Sequence, residues 1–187
     1  FLQVYERSRS IGTCLSQKGF YRKPVLVFMK KSPETVTAFF GIIRSGCFYV
    51  PVDEEMPKMR IQLILETCKA EVIICDNRTL PLAETLCFDG EIIPYDTASS
   101  WTEDSKCLDK IRSQVIDTDP IYIVFTSGST GVPKGVCACH RSVIDYVEQL
   151  SDVLGFSEDT VFGNQTPLYF DACLKELYPT LKFGATT

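Results

Sequence analysis

The chain has 187 residues, of which 45% are hydrophobic and 23% charged, and this balance favours one globular domain and excludes a disordered chain. Its net charge of −5 disfavours a nucleic-acid binder, because no surplus of basic side chains is available to neutralise phosphates. No apolar run approaches the ~20 residues of a membrane span, and no basic-then-apolar leader opens the sequence. We predict a cytoplasmic protein, and the start at Phe1 indicates a piece of a longer one.

The first half of the chain alternates helical periodicity with short apolar runs. Helices are predicted over Tyr5–Lys18, from Pro33 to Gly46, and from Pro57 to Cys68. Strands are predicted at Pro24–Met29, Phe48–Val52 and Glu71–Cys75, since these runs are short and continuously apolar. Ser32 precedes Pro33 as a helix N-cap followed by proline at the first helical position. This β-α-β-α-β order predicts an α/β fold with a mostly parallel sheet flanked by helices.

The second half of the chain is less regular. Further strands are predicted at Glu91–Pro94, Ile121–Phe125, Gly135–Ala138 and Thr160–Gly163. The polar stretch Asp96–Asp104 is predicted to be a loop. A helix is predicted over His140–Leu154, with burial of Val143, Val147, Leu150 and Leu154. A last helix is predicted over Asp171–Phe183 and ended by Gly184, with Pro179 expected to bend it.

The nine cysteines are scattered without C-x-x-C spacing, and most lie in apolar segments. A free thiol in such a segment packs as a small hydrophobic group. We predict reduced cysteines, since disulfides are rare in the cytosol. A zinc site is disfavoured, because the chain holds one histidine, His140, and no paired ligand spacing. His140 is interpreted as a polar residue at a helix start rather than as an acid or base.

The segment richest in chemistry follows the Ile121–Phe125 strand and reads T-S-G-S-T-G-V-P-K-G. Its hydroxyl groups donate O–H bonds, its glycines allow positive φ and a close approach of backbone N–H groups, and its lysine adds one cation. This combination suits a polyphosphate. The spacing differs from G-x-x-x-x-G-K-[ST] and from G-x-G-x-x-G, and by composition alone a flexible surface turn stays open. The candidate phosphate-binding residues are Thr126, Ser127, Gly128, Ser129, Thr130, Gly131, Lys134 and Gly135.

As an ordered string, Thr126–Gly135 resembles the phosphate-binding signature of the adenylate-forming ligases, which include acyl-CoA synthetases, luciferases and adenylation domains of nonribosomal peptide synthetases. Ile43–Asp53 resembles the structural segment L-K-A-G-x-A-Y-V-P-L-D of the amino-acid-activating branch, with departures at positions 44, 45 and 48. Tyr169–Tyr178 resembles that branch's F-D-A-S-x-x-[ED]-[IL]-[FY] segment, with Cys173 in place of the usual serine.

The resemblance implies a role for each of these segments. It assigns the Thr126–Gly135 loop to the β- and γ-phosphates of ATP, with Lys134 offsetting their charge. It assigns Asp171 to the α-amino group of an amino-acid substrate. A buried ammonium needs a carboxylate partner, which gives that assignment a physical reason. Local sequence leaves a second interpretation open, in which Asp171 is only the N-cap of its helix.

The resemblance covers the chain from about Ser8 onward and matches the first part of the family's large N-terminal domain. It implies that residues 1–187 are a partial adenylation (AMP-binding) domain with the C-terminal remainder absent. The family's Mg²⁺, adenine and ribose motifs and its C-terminal lysine have no counterpart in the chain. Trp101–Asp104 holds a Thr-Glu pair without the preceding glycine, so it is rejected as the Mg²⁺ motif. A ligand for Mg²⁺ is therefore expected outside residues 1–187.

The implied activity of the full-length protein is ATP-dependent formation of an aminoacyl-adenylate and pyrophosphate. Transfer to the phosphopantetheine thiol of a carrier protein is expected to follow, as in a peptide synthetase or a D-alanine–carrier protein ligase. The piece alone is expected to be inactive. Two alternatives stay open: an acyl-CoA synthetase-like ligase, and an inactive phosphate-binding or scaffold module.

Overall fold

The computed structural model describes residues 1–126 and 133–187 of the chain. The strands in these ranges are β1 (Pro24–Phe28), β2 (Phe48–Val52), β3 (Val72–Cys75), β4 (Glu91–Pro94), β5 (Pro120–Thr126) and β6 (Lys134–Cys139). The α-helices in these ranges are α1 (Leu2–Gln17), α2 (Pro33–Arg44), α3 (Lys58–Cys68), α4 (Leu80–Ala83), α5 (Tyr95–Ser99), α6 (Ser105–Arg112), α7 (His140–Leu154) and α8 (Leu174–Phe183). A 3₁₀ turn at Asp171–Cys173 precedes α8. None of these helices is both long and apolar enough to cross a membrane.

The strands form one sheet in the order β4-β3-β1-β2-β5-β6. Strands β1 to β5 run parallel to their neighbours, and β6 runs antiparallel to β5. This topology confirms the predicted α/β fold with a mostly parallel sheet. Because parallel strands end on the same side, the segments that follow β1 to β5 gather at one border, here named the carboxyl edge.

Apolar side chains pack on both faces of the sheet, as expected for parallel strands covered by helices. Along β1, Val25 and Val27 belong to the core formed with α1 and α2, while Leu26 and Phe28 belong to the core formed with α3. All five residues of β1 are buried. The two-residue alternation of side chains therefore divides one apolar strand between two cores.

Capping groups set the ends of α2 where the sequence predicts them. The Ser32 hydroxyl accepts the Thr35 N–H at 3.3 Å, and Pro33 follows as the first helical residue. The chain leaves the helix at Gly46, whose φ is +74°. A Cβ at Gly46 would lie 2.6 Å from Cε2 of Tyr21, so both the backbone conformation and the close contact require glycine.

Three local predictions in the second half were wrong. The predicted loop Asp96–Asp104 begins inside α5, because Tyr95 and Ala98 are spaced for burial and anchor a helical turn on the core. Leu154 is 58% exposed rather than buried, since α7 ends there at Gly155. The predicted strand Thr160–Gly163 is reduced to a single parallel bridge between Val161 and Thr186.

Candidate functional site

The predicted phosphate-binding loop is bounded by the β5–β6 hairpin at the carboxyl edge. Thr126, the last residue of β5, pairs with Lys134, the first residue of β6, and the Thr126 hydroxyl donates to the Lys134 carbonyl at 3.4 Å. The predicted return strand is confirmed and extends one residue further at each end. The remaining predicted loop ligands lie outside the described residues: Ser127, Gly128, Ser129, Thr130 and Gly131.

Thr126 and Lys134, which carry a hydroxyl and an ammonium group of the predicted loop, are both exposed to solvent. Lys134 forms no ion pair within residues 1–126 and 133–187. One cation therefore lies at the base of the hairpin in a position where an anion can reach it.

Gly135 has a packing role that the sequence did not predict. It lies in β6 opposite Phe125, and it is not among the glycines with positive φ, so the expected positive φ at this position was wrong. A Cβ at Gly135 would lie 2.8 Å from Cγ2 of Ile123 and 3.1 Å from Cζ of Phe125. The absence of a side chain makes room for these two residues. Phosphate binding by Gly135 stays a prediction.

Asp171 opens the 3₁₀ turn before α8, and its side chain is exposed. The N-cap position of the turn is Phe170 and that of α8 is Cys173, and neither cap is made by a side-chain hydrogen bond. The alternative interpretation of Asp171 as a helix N-cap therefore has no support in this geometry. The carboxylate is available to a ligand.

The charge of Asp171 acts on a residue of β5, the strand that leads into the loop. Burial raises the pKa of Tyr122, and the negative charge of Asp171 raises it further. Tyr122 precedes Thr126 by four residues on β5, a rise of roughly 13 Å along a strand.

Cys173, which replaces the usual serine, faces the protein interior. It is 2% exposed, and its thiol contacts the Leu168 carbonyl at 3.7 Å. Burial raises the pKa of this thiol to about 12. Cys173 therefore anchors the turn from below, while Asp171 stays at the surface.

Three tyrosines from different elements lie close together: Tyr49 of β2, Tyr122 of β5 and Tyr178 of α8. The rings of Tyr49 and Tyr122 are 5.8 Å apart, and the hydroxyls of Tyr49 and Tyr178 are 3.3 Å apart. Burial raises the pKa of both Tyr49 and Tyr178. The sequence analysis missed this bond, because it joins residues 129 positions apart.

In the part of the chain that the structure describes, cavities lie along the carboxyl edge near the end of β1. One of about 440 Å³ lies where β1, β3 and β4 end, and one of about 230 Å³ lies where β1 and β2 end. The first is bordered by Asp76, whose carboxylate accepts N–H groups of Lys30, Arg78 and Thr79. Thr126, Lys134 and Asp171 line neither cavity. The described site residues therefore lie outside both cavities, and each of them is exposed.

His140 is the first residue of α7. The His140 N–H donates to the Asp119 carbonyl at 3.1 Å, and burial lowers the pKa of the imidazole. Within the described ranges, no group of three or more His, Cys, Asp or Glu side chains is placed to hold a metal ion.

Comparison with known proteins identifies relatives over the whole chain. The family model described as AMP-binding enzyme matches residues 1–187. Surfactin synthase subunit 1 of Bacillus subtilis (strain 168) is 36% identical over 193 residues, which is 98% of this chain and 5% of that protein. The D-alanine–D-alanyl carrier protein ligase of Staphylococcus aureus (strain Newman) is 33% identical over 165 residues, 88% of this chain and 32% of the ligase.

Solved structures agree with the fold. The nonribosomal peptide synthetase FmoA3 (S1046A) in its AMPPNP-bound form is 25% identical with a TM-score of 0.80, over 98% of this chain and 19% of that one. VinN matches in fold with a TM-score of 0.83 at 20% identity, over 99% of this chain and 50% of its own. The chain thus spans between 5% and 32% of the length of the two sequence relatives.

Proposed function

The chain belongs to the AMP-binding enzyme family, and from this membership we propose that the full-length protein activates an amino acid as its adenylate. The substrate carboxylate oxygen attacks the α-phosphorus of ATP, the α–β phosphoanhydride bond breaks, and pyrophosphate leaves with its electron pair. The protein needs no covalent intermediate for this step, so its residues act by positioning and by neutralising charge. Mg²⁺, when bound, supplies further neutralisation of the phosphates.

The observation that carries the proposal is the pairing of Thr126 with Lys134 at the end of the β5–β6 hairpin, on the carboxyl edge of the sheet. A glycine- and hydroxyl-rich connection after a parallel strand presents N–H and O–H donors to an anion. Lys134 adds an exposed ammonium at the hairpin base and acts as a point charge rather than as a bidentate clamp. This arrangement suits the β- and γ-phosphates, which become the leaving pyrophosphate.

Asp171 supplies the second half of the proposed site. Its carboxylate is exposed and caps no helix, and its negative charge raises the pKa of Tyr122 on β5. A carboxylate at this place pairs with the α-ammonium group of an amino acid and holds the substrate carboxylate toward the nucleotide.

The proposed acceptor of the activated amino acid is the phosphopantetheine thiol of a carrier protein. Two relatives support this part of the proposal, because one is named a carrier protein ligase and the other a surfactin synthase subunit. An acyl-CoA synthetase-like activity is a second candidate. The exposed Asp171 carboxylate disfavours it, since a fatty acid brings no ammonium to pair with that charge.

The test is amino-acid-dependent exchange of labelled pyrophosphate into ATP by the full-length protein. A panel of D- and L-amino acids, with D-alanine included, is compared with a panel of fatty acids. Exchange that depends on one or a few amino acids supports the proposal. Exchange with fatty acids alone identifies an acyl-CoA synthetase-like enzyme, and no exchange with either panel favours an inactive module.

A further inference from the structure

One hydrogen bond joins the centre of the sheet to the helix that follows Asp171. The hydroxyls of Tyr49 and Tyr178 lie 3.3 Å apart, and either group can donate. Tyr49 is 2% exposed, and its ring stacks on Phe39 at a centroid distance of 4.1 Å. The Tyr178 ring meets the Phe40 ring edge to face at 5.8 Å. The bond thus connects two side chains that neighbouring rings already hold in place.

Asp171 opens the 3₁₀ turn that leads directly into α8. The turn ends at Cys173, and Leu174 is the first residue of the helix. Leu174 is 6% exposed and packs in the core, and Tyr178 lies about one turn further along the helix. A rotation of α8 about its own axis therefore moves the turn and the Asp171 carboxylate with it.

Apolar packing alone leaves this rotation loosely defined. Burial of Leu174 and Leu177 is favourable over a range of rotations, because the hydrophobic effect has no direction. A hydrogen bond prefers a narrow range of distances and angles. For a side chain about 5 Å from the helix axis, a rotation of about 20° is a displacement of about 1.7 Å. Such a displacement is large on the scale that catalysis tolerates.

Pro179 removes a backbone hydrogen bond from α8, so the Tyr49–Tyr178 bond matters more for the first part of the helix. Proline has no N–H, so the carbonyl four residues earlier, at Lys175, loses its usual partner inside the helix. The segment from Asp171 to Tyr178 is therefore less firmly tied to the rest of α8. Tyr178 is the last residue before this break, and its bond to Tyr49 fixes the segment at that point.

We propose that the Tyr49–Tyr178 hydrogen bond is a positioning element that sets the rotation of α8 and thereby the position of the Asp171 carboxylate for the substrate ammonium. The inference rests on the proposed role of Asp171 in amino-acid binding. Tyr49 and Tyr178 act through Asp171 and touch no substrate themselves. The structure assigns them a specific effect, which is on amino-acid affinity and not on nucleotide affinity.

The experiment compares three variants of the full-length protein in pyrophosphate exchange. Tyr178→Phe removes one hydroxyl, and the double variant Tyr49→Phe/Tyr178→Phe removes both. Tyr95→Phe is the matched control, because the Tyr95 hydroxyl is buried without a hydrogen-bond partner in the described part of the chain. We expect Tyr178→Phe to raise the KM for the amino acid by about tenfold and to change the KM for ATP by less than about twofold. Tyr95→Phe should leave both constants unchanged.

The double variant separates positioning from simple stabilisation. Tyr178→Phe leaves a buried hydroxyl without a partner and lowers the Tm, whereas removing both hydroxyls restores the Tm to near the wild-type value. The positioning proposal expects the amino-acid KM of the double variant to stay raised despite this recovery, because the directional constraint is still missing. Recovery of both the Tm and the KM would overturn the proposal and leave the pair a purely structural role.

A crystal structure of the double variant tests the positioning of Asp171 without the pyrophosphate-exchange assay. If the wild-type protein exchanges pyrophosphate with no amino acid, the proposed function fails while the positioning effect can still be measured. The expected result is an Asp171 carboxyl carbon that moves by about 1 Å or more, or loses its order, relative to wild type and to Tyr95→Phe. An Asp171 carboxyl that superposes on the wild-type position would overturn the inference.

Discussion

Gly41 of α2 packs so closely on Ile11 of α1 that a methyl group added at Gly41 would lie 2.5 Å from the Ile11 Cβ. Gly41→Ala is therefore expected to lower the free energy of unfolding by about 1–3 kcal/mol, because overpacking outweighs the helix propensity that alanine gains. Urea denaturation measures the effect. The control is Gly163→Ala, since a methyl group there contacts nothing within 4 Å. An unchanged urea midpoint for Gly41→Ala would show that the two helices move apart without cost.

Asp76 gives the fold a pH-dependent component. Burial opposes its ionisation, but hydrogen bonds from the N–H groups of Thr79, Lys30 and Arg78 outweigh that effect and lower its pKa. A carboxylate with a lowered folded-state pKa stabilises the fold above the unfolded-state value of about 3.9. This stabilisation is lost as the pH falls through the folded-state pKa.

Asp76→Asn is accordingly expected to cost about 1–2 kcal/mol at pH 7, a value reduced by partial exposure of the carboxylate. The difference from wild type should shrink as the pH falls below about 3.9. Urea midpoints measured from pH 7 to pH 3 provide the check. Asp89→Asn is the control, since Asp89 is an exposed loop residue. A difference that is constant with pH would contradict this account of Asp76.

Asp171→Asn is expected to affect the amino acid and not the fold. The side chain is exposed and caps no helix, so the Tm should change by less than about 2 °C. The kcat/KM for the amino acid should fall by about a hundredfold, because the substrate ammonium loses its charged partner. The KM for ATP should change little. Glu158→Gln removes another exposed acidic charge and serves as the control, and equal losses for the two substrates would assign Asp171 a structural role.

Lys134→Ala is expected to weaken the binding of ATP and to leave the binding of the amino acid nearly unchanged. The ammonium is exposed at the hairpin base, and its loss should raise the KM for ATP by about tenfold while the amino-acid KM changes by less than about threefold. The effect should weaken at high salt, where exposed charges are screened. Initial rates at varied ATP concentration measure it. Lys106→Ala, an exposed lysine on α6, is the control. An ATP KM equal to wild type would contradict phosphate binding by Lys134.

Much of the fold could be predicted from local signals. The bounds of β2, β4 and α7 agree with the sequence prediction, because apolar runs and helical periodicity there end at clear breaks such as Gly155. Helix α5 was missed because its sequence is polar, and only contact of Tyr95 and Ala98 with the core stabilises it. That contact depends on where β4 lies in the sheet, which local sequence does not contain.

The motifs of the candidate site are visible in the sequence, but the contacts that support it are not. The string around Lys134 and the acidic residue at 171 are visible as motifs. The hydroxyl contact between Tyr49 and Tyr178 requires knowledge of how α8 packs on β2, and no pattern in either segment carries it. Gly135 shows the same limit, since the contact with Ile123 that requires glycine arises only when the hairpin forms.

Strand β6 affects how residues 1–187 are expected to behave in concentrated solution. It is the last strand of the sheet, and Val136 on it is 55% exposed. A border strand of this kind offers a row of backbone groups to which a second molecule can add its own strand, a common start of aggregation. We therefore expect concentrated preparations of residues 1–187 to aggregate through this strand, and we expect Val136→Lys to reduce that aggregation.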